Sequence, residues 1–239
     1  MGELAEGGRQ ATVERVTLDG PGGTPVEAIH ARPDGEPAGA LVLHPDIGGI
    51  RPLFDDLCRR LATHGLEVCA PEPFALVPER DELDLPARLA RVAELDDDAQ
   101  LALLAGAADF LDAPAVAVMG FCMGGMYTFK AAATDRFARA VAFYGMIRVP
   151  EEWRAPGQRE PLDTAADVCP TLAILGAADH YTPPADVEAL RRAWADRHDC
   201  EIVVYADAEH GFVHAPDRPT HRPEDARDAW HRALAFLTP

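Results

Sequence analysis

The sequence predicts an α/β protein with a mostly parallel central sheet, helices on both faces and a small antiparallel N-terminal edge. Three observations carry this. Strand-like and helix-like runs alternate from residue 40 onward, the order that builds parallel sheets through right-handed crossovers. The interior runs, such as Ala40-Leu41-Val42-Leu43, are continuously apolar, as strands covered on both faces are. Ahead of them, two alternating stretches flank a glycine-rich turn, which reads as a hairpin.

That hairpin is Thr12 to Leu18 and Val26 to Arg32, joined through Asp19-Gly20-Pro21-Gly22-Gly23. After the strand Ala40 to Leu43, residues 53–64 repeat apolar residues at Leu53, Leu57 and Leu61 and meet Gly65, as a helix with a glycine stop. Leu66 to Ala70 is a strand stopped by Pro71 and Pro73. Residues 74–94 read as an excursion followed by a helix containing Arg88 and Arg91. Asp96-Asp97-Asp98 places negative charge at the start of a helix to about Leu111, where it suits the dipole. Ala115 to Met119 is a buried strand, Gly120 to Gly125 a tight turn and Met126 to Thr134 a helix. Ala138 to Tyr144 and Thr171 to Leu175 are strands, Pro184 to His198 is helical, Glu201 to Tyr205 is the last strand, and Pro223 to Leu237 is the closing helix. No composition break or repeat divides the chain, so residues 1–239 form one domain, with 1–11 loosely ordered.

At 239 residues the chain can bury a substantial core without disulfides or metals. A net charge of -18 excludes nucleic acid and anionic membranes as expected partners, since both are bound by Lys and Arg clusters. No apolar run approaches the roughly 18 residues of a spanning helix, and the start of the chain has no signal-peptide pattern, so a cytoplasmic location is expected. The five cysteines, at 58, 69, 122, 169 and 200, are odd in number and contain no C-x-x-C pair. Reduced cytosolic thiols are expected, not a disulfide framework or zinc site. His44, Asp46, His180, His210 and His214 could furnish metal ligands, but no H-E-x-x-H or equivalent spacing supports one, and no metal or cofactor is expected. Monomer is the default state, with a dimer left open.

Gly120-Phe121-Cys122-Met123-Gly124-Gly125 follows a strand directly and opens a helix. This is the context of the G-x-S-x-G nucleophile elbow with cysteine in place of serine. Glycines two residues to either side let strand and helix approach without Cβ clashes. The helix N-terminus favours a thiolate and an anionic intermediate. A catalytic cysteine needs a base and an orienting acid. Asp179 follows the strand Thr171 to Leu175, and His210 follows the strand ending at Tyr205. The order Cys122, Asp179, His210 and the placement of each after its own strand bring all three to the sheet's carboxyl edge. The loop His44-Pro45-Asp46-Ile47-Gly48-Gly49 supplies the remaining part. An oxyanion hole needs two N–H donors, here Met123 from the elbow and Ile47 from this loop.

Together the elbow, Asp179, His210-Gly211-Phe212 and the loop resemble the dienelactone hydrolase family over roughly residues 12–237. The resemblance implies an α/β-hydrolase fold without a large lid, no cofactor, and cleavage of lactones or activated esters through a thioester, with Cys122, Asp179 and His210 as triad. Members commonly carry a glutamate in the oxyanion loop that pairs with the nucleophile; Asp46 stands there, one methylene shorter. Members acting on dienelactone hold its carboxylate with arginines, one of them four residues after the histidine, where this chain has His214; Arg88 lies near the other. Tyr144 resembles a family tyrosine near the pocket. Asp46, Tyr144 and His214 are therefore the expected substrate-binding residues. Two other readings remain at this level: a general small-ester esterase or thioesterase with the same triad, and a catalytically idle, ligand-binding relative.

Overall fold

The expected N-terminal hairpin forms one edge of an eight-stranded sheet. The computed structural model describes residues 3–78 and 84–238. Strands β1 (Ala11–Asp19) and β2 (Pro25–Pro33) pair antiparallel in full register, from Ala11 opposite Pro33 to Asp19 opposite Pro25. β2 then pairs antiparallel with β4 (Leu66–Pro71). From there every pairing is parallel, through β3 (Gly39–His44), β5 (Val116–Phe121), β6 (Arg139–Phe143), β7 (Thr171–Gly176) and β8 (Cys200–Tyr205). The spatial order is β1-β2-β4-β3-β5-β6-β7-β8. β3 and β5 are central and entirely sheathed, which is why their sequences are apolar without alternation.

The helices cover both faces. They are α1 (Pro52–Thr63), α2 (Leu85–Arg91), α3 (Asp97–Phe110), α4 (Met123–Ala132), α5 (Pro184–Ala193) and α6 (Pro223–Leu237). α1 starts with proline at its first position and buries Phe54, Leu57, Cys58 and Leu61, one stripe at helical spacing. α3 is capped by Asp96, whose carboxylate accepts from the Ala99 N–H at 3.0 Å. A buried pair ties α3 to α4: Lys130 Nζ lies 2.7 Å from Asp97 Oδ1. The other Asp97 oxygen accepts from the Arg159 N–H at 2.7 Å, fastening the long β6–β7 connection over the same helices.

Three expected boundaries shift for physical reasons. The turn expected over Gly120 to Gly125 contracts to a single residue, because β5 runs to Phe121 and α4 begins at Met123. α5 stops at Ala193, not His198. There the Arg197 guanidinium bonds the carbonyls of Ala166 and Val168, at 2.8 and 2.6 Å, and holds the chain out of the helix. Residues 1–11 are not loosely ordered from Leu4 onward. Leu4 is buried, and the N–H groups of Gly7 and Arg9 bond the Thr63 hydroxyl and carbonyl at 2.7 and 3.0 Å.

Candidate active site

The sheet brings the carboxyl ends of β3, β5, β6, β7 and β8 to one rim. Between β5 and α4 sits Cys122, at φ 57° and ψ -120°. A side chain in this region costs about 1–3 kcal/mol and persists only where surroundings enforce it. Here the Cys122 N–H donates to the Phe143 carbonyl at 3.0 Å, and its carbonyl accepts from the Met126 N–H at 3.0 Å, the first bond of α4. A Cβ on Gly124 would lie 2.3 Å from the carbonyl oxygens of both His44 and Pro45. Glycine is required there, because the helix start and the loop after β3 pass in backbone contact. Cys122 is 8% exposed.

Asp179 and His210 meet as the order of the chain predicts. His210 Nδ1 lies 2.8 Å from Asp179 Oδ2, and Asp179 Oδ1 accepts from the Tyr181 N–H at 2.9 Å. The buried Asp179 side chain holds the ring through Nδ1 and leaves Nε2 on the far side of the ring. Among the described residues Nε2 has no partner in hydrogen-bonding geometry, and the charge at Cys122 acts on the ring. Burial opposes a charged ring, but the charge at Cys122 and the Asp179 hydrogen bond outweigh it and push His210 up to about 10. The arrangement therefore favours the charged imidazolium form of His210.

The loop after β3 is rigidly held. Asp46 Oδ1 accepts from the Gly48 N–H at 2.8 Å, and its carbonyl accepts from the Gly49 N–H at 2.9 Å. The Ile50 N–H donates to Glu72 Oε2 at 2.9 Å, while Glu72 Oε1 accepts from Arg88 at 2.6 Å. His44 packs flat on Tyr127, with ring centroids 5.4 Å apart, and burial pushes its pKa down. The Ile47 N–H has no acceptor among the described residues, and Met123 lies in the first helical turn, where N–H groups have no intrahelical partner. Neither N–H is committed to a backbone acceptor among the described residues.

Asp46, His214 and Tyr144 lie next to the triad, not in open pocket space. Their residues are 1%, 2% and 0% exposed, and they form one chain. Asp46 binds Arg51 through both oxygens, at 2.6 and 2.8 Å, and accepts from His214 Nε2 at 2.7 Å. His214 Nδ1 is closely bonded to the Tyr144 hydroxyl. Burial drives His214 down despite Asp46. With Nε2–H committed to the carboxylate, the neutral ring accepts the Tyr144 proton at Nδ1. Asp46 is held far below the usual carboxylate range by His214 and Arg51, against its burial. Tyr144, in left-handed backbone at φ 38°, presents its ring edge-on to His210 at 5.2 Å.

Sequence reasoning missed Arg51, Arg218 and Tyr181. Arg218 Nη2 lies 3.7 Å from Asp46 Oδ2, and Gly211, at φ 78°, makes room for its guanidinium. Tyr181 meets His210 edge-on at 4.9 Å; its place two residues after Asp179 was the available signal. Arg51, five residues beyond an acidic residue in a tight glycine turn, was the other. Arg218 carried none. No group of three His, Cys, Asp or Glu side chains placed to hold a metal ion occurs among the described residues.

Comparison with known proteins agrees with this geometry. The model of the family described as "Dienelactone hydrolase family" matches residues 26–239. The chain is 34% identical over 228 residues to a candidate carboxymethylenebutenolidase of Escherichia coli K12, covering 90% of this chain and 83% of that one. It is 30% identical over 230 residues to the carboxymethylenebutenolidase of Rhodococcus opacus, covering 91% and 87%. The crystal structure of a candidate dienelactone hydrolase from Klebsiella pneumoniae superposes with a TM-score of 0.86 at 30% identity, covering 95% of this chain and 98% of that one.

Proposed function

The chain belongs to the dienelactone hydrolase family and is a hydrolase of ester (lactone) bonds; on that premise we propose that Cys122 is its nucleophile and that lactones or activated small esters are cleaved through a thioester on that sulfur. The observation that carries this reading is the elbow: a cysteine held at φ 57° between β5 and α4, facing a histidine whose other nitrogen is fixed by a buried carboxylate.

In this mechanism the Cys122 thiolate attacks the ester carbonyl carbon, and the carbonyl electron pair moves onto oxygen. The N–H groups of Met123 and Ile47 bind that oxyanion, each worth about a hundredfold to a thousandfold in turnover. Collapse breaks the carbon–oxygen bond, and the His210 imidazolium donates its Nε2 proton to the departing alkoxide or enolate, which in a lactone stays tethered to the acyl group. Water then attacks the thioester while neutral His210 takes its proton. The second tetrahedral intermediate expels the thiolate and leaves the acid. Good leaving groups suit a sulfur nucleophile; simple amides do not.

The buried chain Tyr144–His214–Asp46 is assigned a positioning part, holding His210 and the oxyanion loop in place. Because His214 is neutral and both its nitrogens are engaged, it brings no charge to a substrate carboxylate. That favours uncharged esters and lactones over dienelactone itself. No described helix is long and apolar enough to cross a membrane, and the five unpaired cysteines support a reducing, cytoplasmic setting.

The test is a panel of p-nitrophenyl esters with dienelactone, run before and after iodoacetamide and against Cys122→Ala. Turnover is expected only with the free thiol, together with an acyl adduct on Cys122 by mass spectrometry. Activity that survives either treatment rejects the sulfur nucleophile.

A further inference from the structure

Beside the triad opens a cleft of about 310 Å³ whose walls include Tyr181, His180, Arg148, Arg154 and Glu152. It has no part in the chemistry above, yet it is contiguous with it through one side chain. Tyr181 touches His210 edge-on on one side and lines the cleft on the other. Burial, and after it the charges at Cys122 and Glu152, push its hydroxyl pKa up.

The Tyr181 ring is held as part of an aromatic stack. Trp153, buried, lies nearly parallel to it at 6.1 Å, and the His180 ring lies 4.0 Å away. Its backbone N–H is tied to Asp179. The ring is thus fixed in orientation from three directions while remaining half-exposed to the cleft. Side chains that do nothing but fill a core have no exposed face. Arg148 and Arg154, 44% and 55% exposed, bring guanidinium donors to the rim; each is paired with a carboxylate, Asp186 at 3.0 Å and Glu160 at 3.3 Å. Exposed pairs of this kind are weak, so a polar substituent can share their donors.

We propose that this cleft is a substrate subsite, and that it takes a planar aromatic portion of the ester, stacked on Tyr181 with its polar end toward Arg148 and Arg154. The subsite rests on the hydrolase reading above and gives it a substrate class: esters with an aromatic ring extending from the scissile carbonyl toward β7 and α5. A flat pre-ordered ring against a flat ligand gains about 0.5–1.5 kcal/mol beyond area burial, a two- to twelvefold preference.

Two amides of one skeleton test this, since neither is expected to be cleaved: 2-naphthamide, which is flat, and decahydronaphthalene-2-carboxamide, which is puckered. Binding is measured by calorimetry on wild type, Cys122→Ala, Tyr181→Ala and Tyr181→Phe. The flat amide is expected to bind about two- to twelvefold more tightly than the puckered one to wild type and to Cys122→Ala. The preference should vanish in Tyr181→Ala and return in Tyr181→Phe, which keeps the ring and separates stacking from a folding defect. The ratio of kcat/KM for 2-naphthyl acetate over ethyl thioacetate should fall in Tyr181→Ala, mainly through KM. Equal affinity for the two amides, or a preference indifferent to Tyr181→Ala, overturns the subsite. Because binding is read without turnover, a failed thiol mechanism leaves this result standing, and a failed subsite leaves the thiol mechanism standing.

Discussion

Two histidine–aspartate pairs lie side by side in this protein, and they are shifted in opposite directions. His210 with Asp179 is raised to about 10; His214 with Asp46 is lowered. His214 is buried and His210 largely so, and both hydrogen bonds are short, 2.8 and 2.7 Å. The difference lies in what else surrounds them. Asp46 spends its charge on the bidentate Arg51, and Arg218 adds further positive charge nearby, so a second positive ring is unwelcome. Asp179 is paired with no guanidinium among the described residues, and the charge at Cys122 acts on the His210 ring as well. A carboxylate beside a histidine therefore does not by itself define an acid–base site; the charge left over after its other partners does.

The largest expected contrast is in turnover. His210→Gln should lower kcat/KM by about 10⁴-fold or more, as loss of the base does in other triads, and Asp179→Asn by about 10⁴-fold through the wrong tautomer. His214→Gln should cost less than about a hundredfold, the scale of an orientation defect. Equal losses would mean that the two pairs act as one catalytic unit.

The contrast should reverse in stability. Asp46→Asn leaves the buried His214 and the partly exposed Arg51 facing a neutral group, and removing one partner from a buried polar network of this kind costs about 3 kcal/mol or more. In a chain of this length that is about 6–12 °C of Tm in thermal unfolding. A Tm within a degree or two of wild type would show that Arg51 simply swings to solvent.

The pH dependence of stability should split the same way. His210, with a folded pKa of about 10 above the ordinary 6.5, contributes stability that is full below pH 6.5 and is lost as pH rises toward 10. His214, lowered, acts with the other sign: the folded state is favoured above pH 6.5 and loses ground as pH falls below it. His210→Gln should flatten the alkaline side of a Tm-against-pH curve and His214→Gln the acidic side. Curves parallel to wild type in both variants would erase the distinction.

The smallest signal is the most direct. Imidazole ¹⁵N shifts at pH 8 should show His210 doubly protonated and His214 neutral with its proton on Nε2. A neutral His210 under those conditions would erase the contrast between the two rings.

Much of the fold was legible in the sequence alone. Apolar runs marked the strands, since β3 and β5 are covered on both faces and are almost wholly apolar. The meeting of Asp179 and His210 was legible because each follows its own strand in a parallel sheet. What lay beyond reach was the company each residue keeps. His214 and Asp46 are 168 positions apart, and nothing local marks which of several arginines ends beside that carboxylate. Arg88, adjacent in expectation to the pocket, is spent on Glu72 under the oxyanion loop. Helix ends failed for a related reason: α5 stops at Ala193 because Arg197 is captured by distant carbonyls, a tertiary effect with no periodicity.

Five thiols share this chain, and four of them are chemically muted. Burial pushes Cys58 up strongly, Cys69 to about 12 and Cys169 to about 11, and it raises Cys200 as well. Only the fifth stands at a helix start with a proton acceptor for a neighbour. A soft electrophile at neutral pH should therefore be consumed in a one-to-one ratio with folded molecules. The protein carries its own internal titrant, and any preparation can be assayed for its competent fraction by counting labels, without knowing what it naturally hydrolyses.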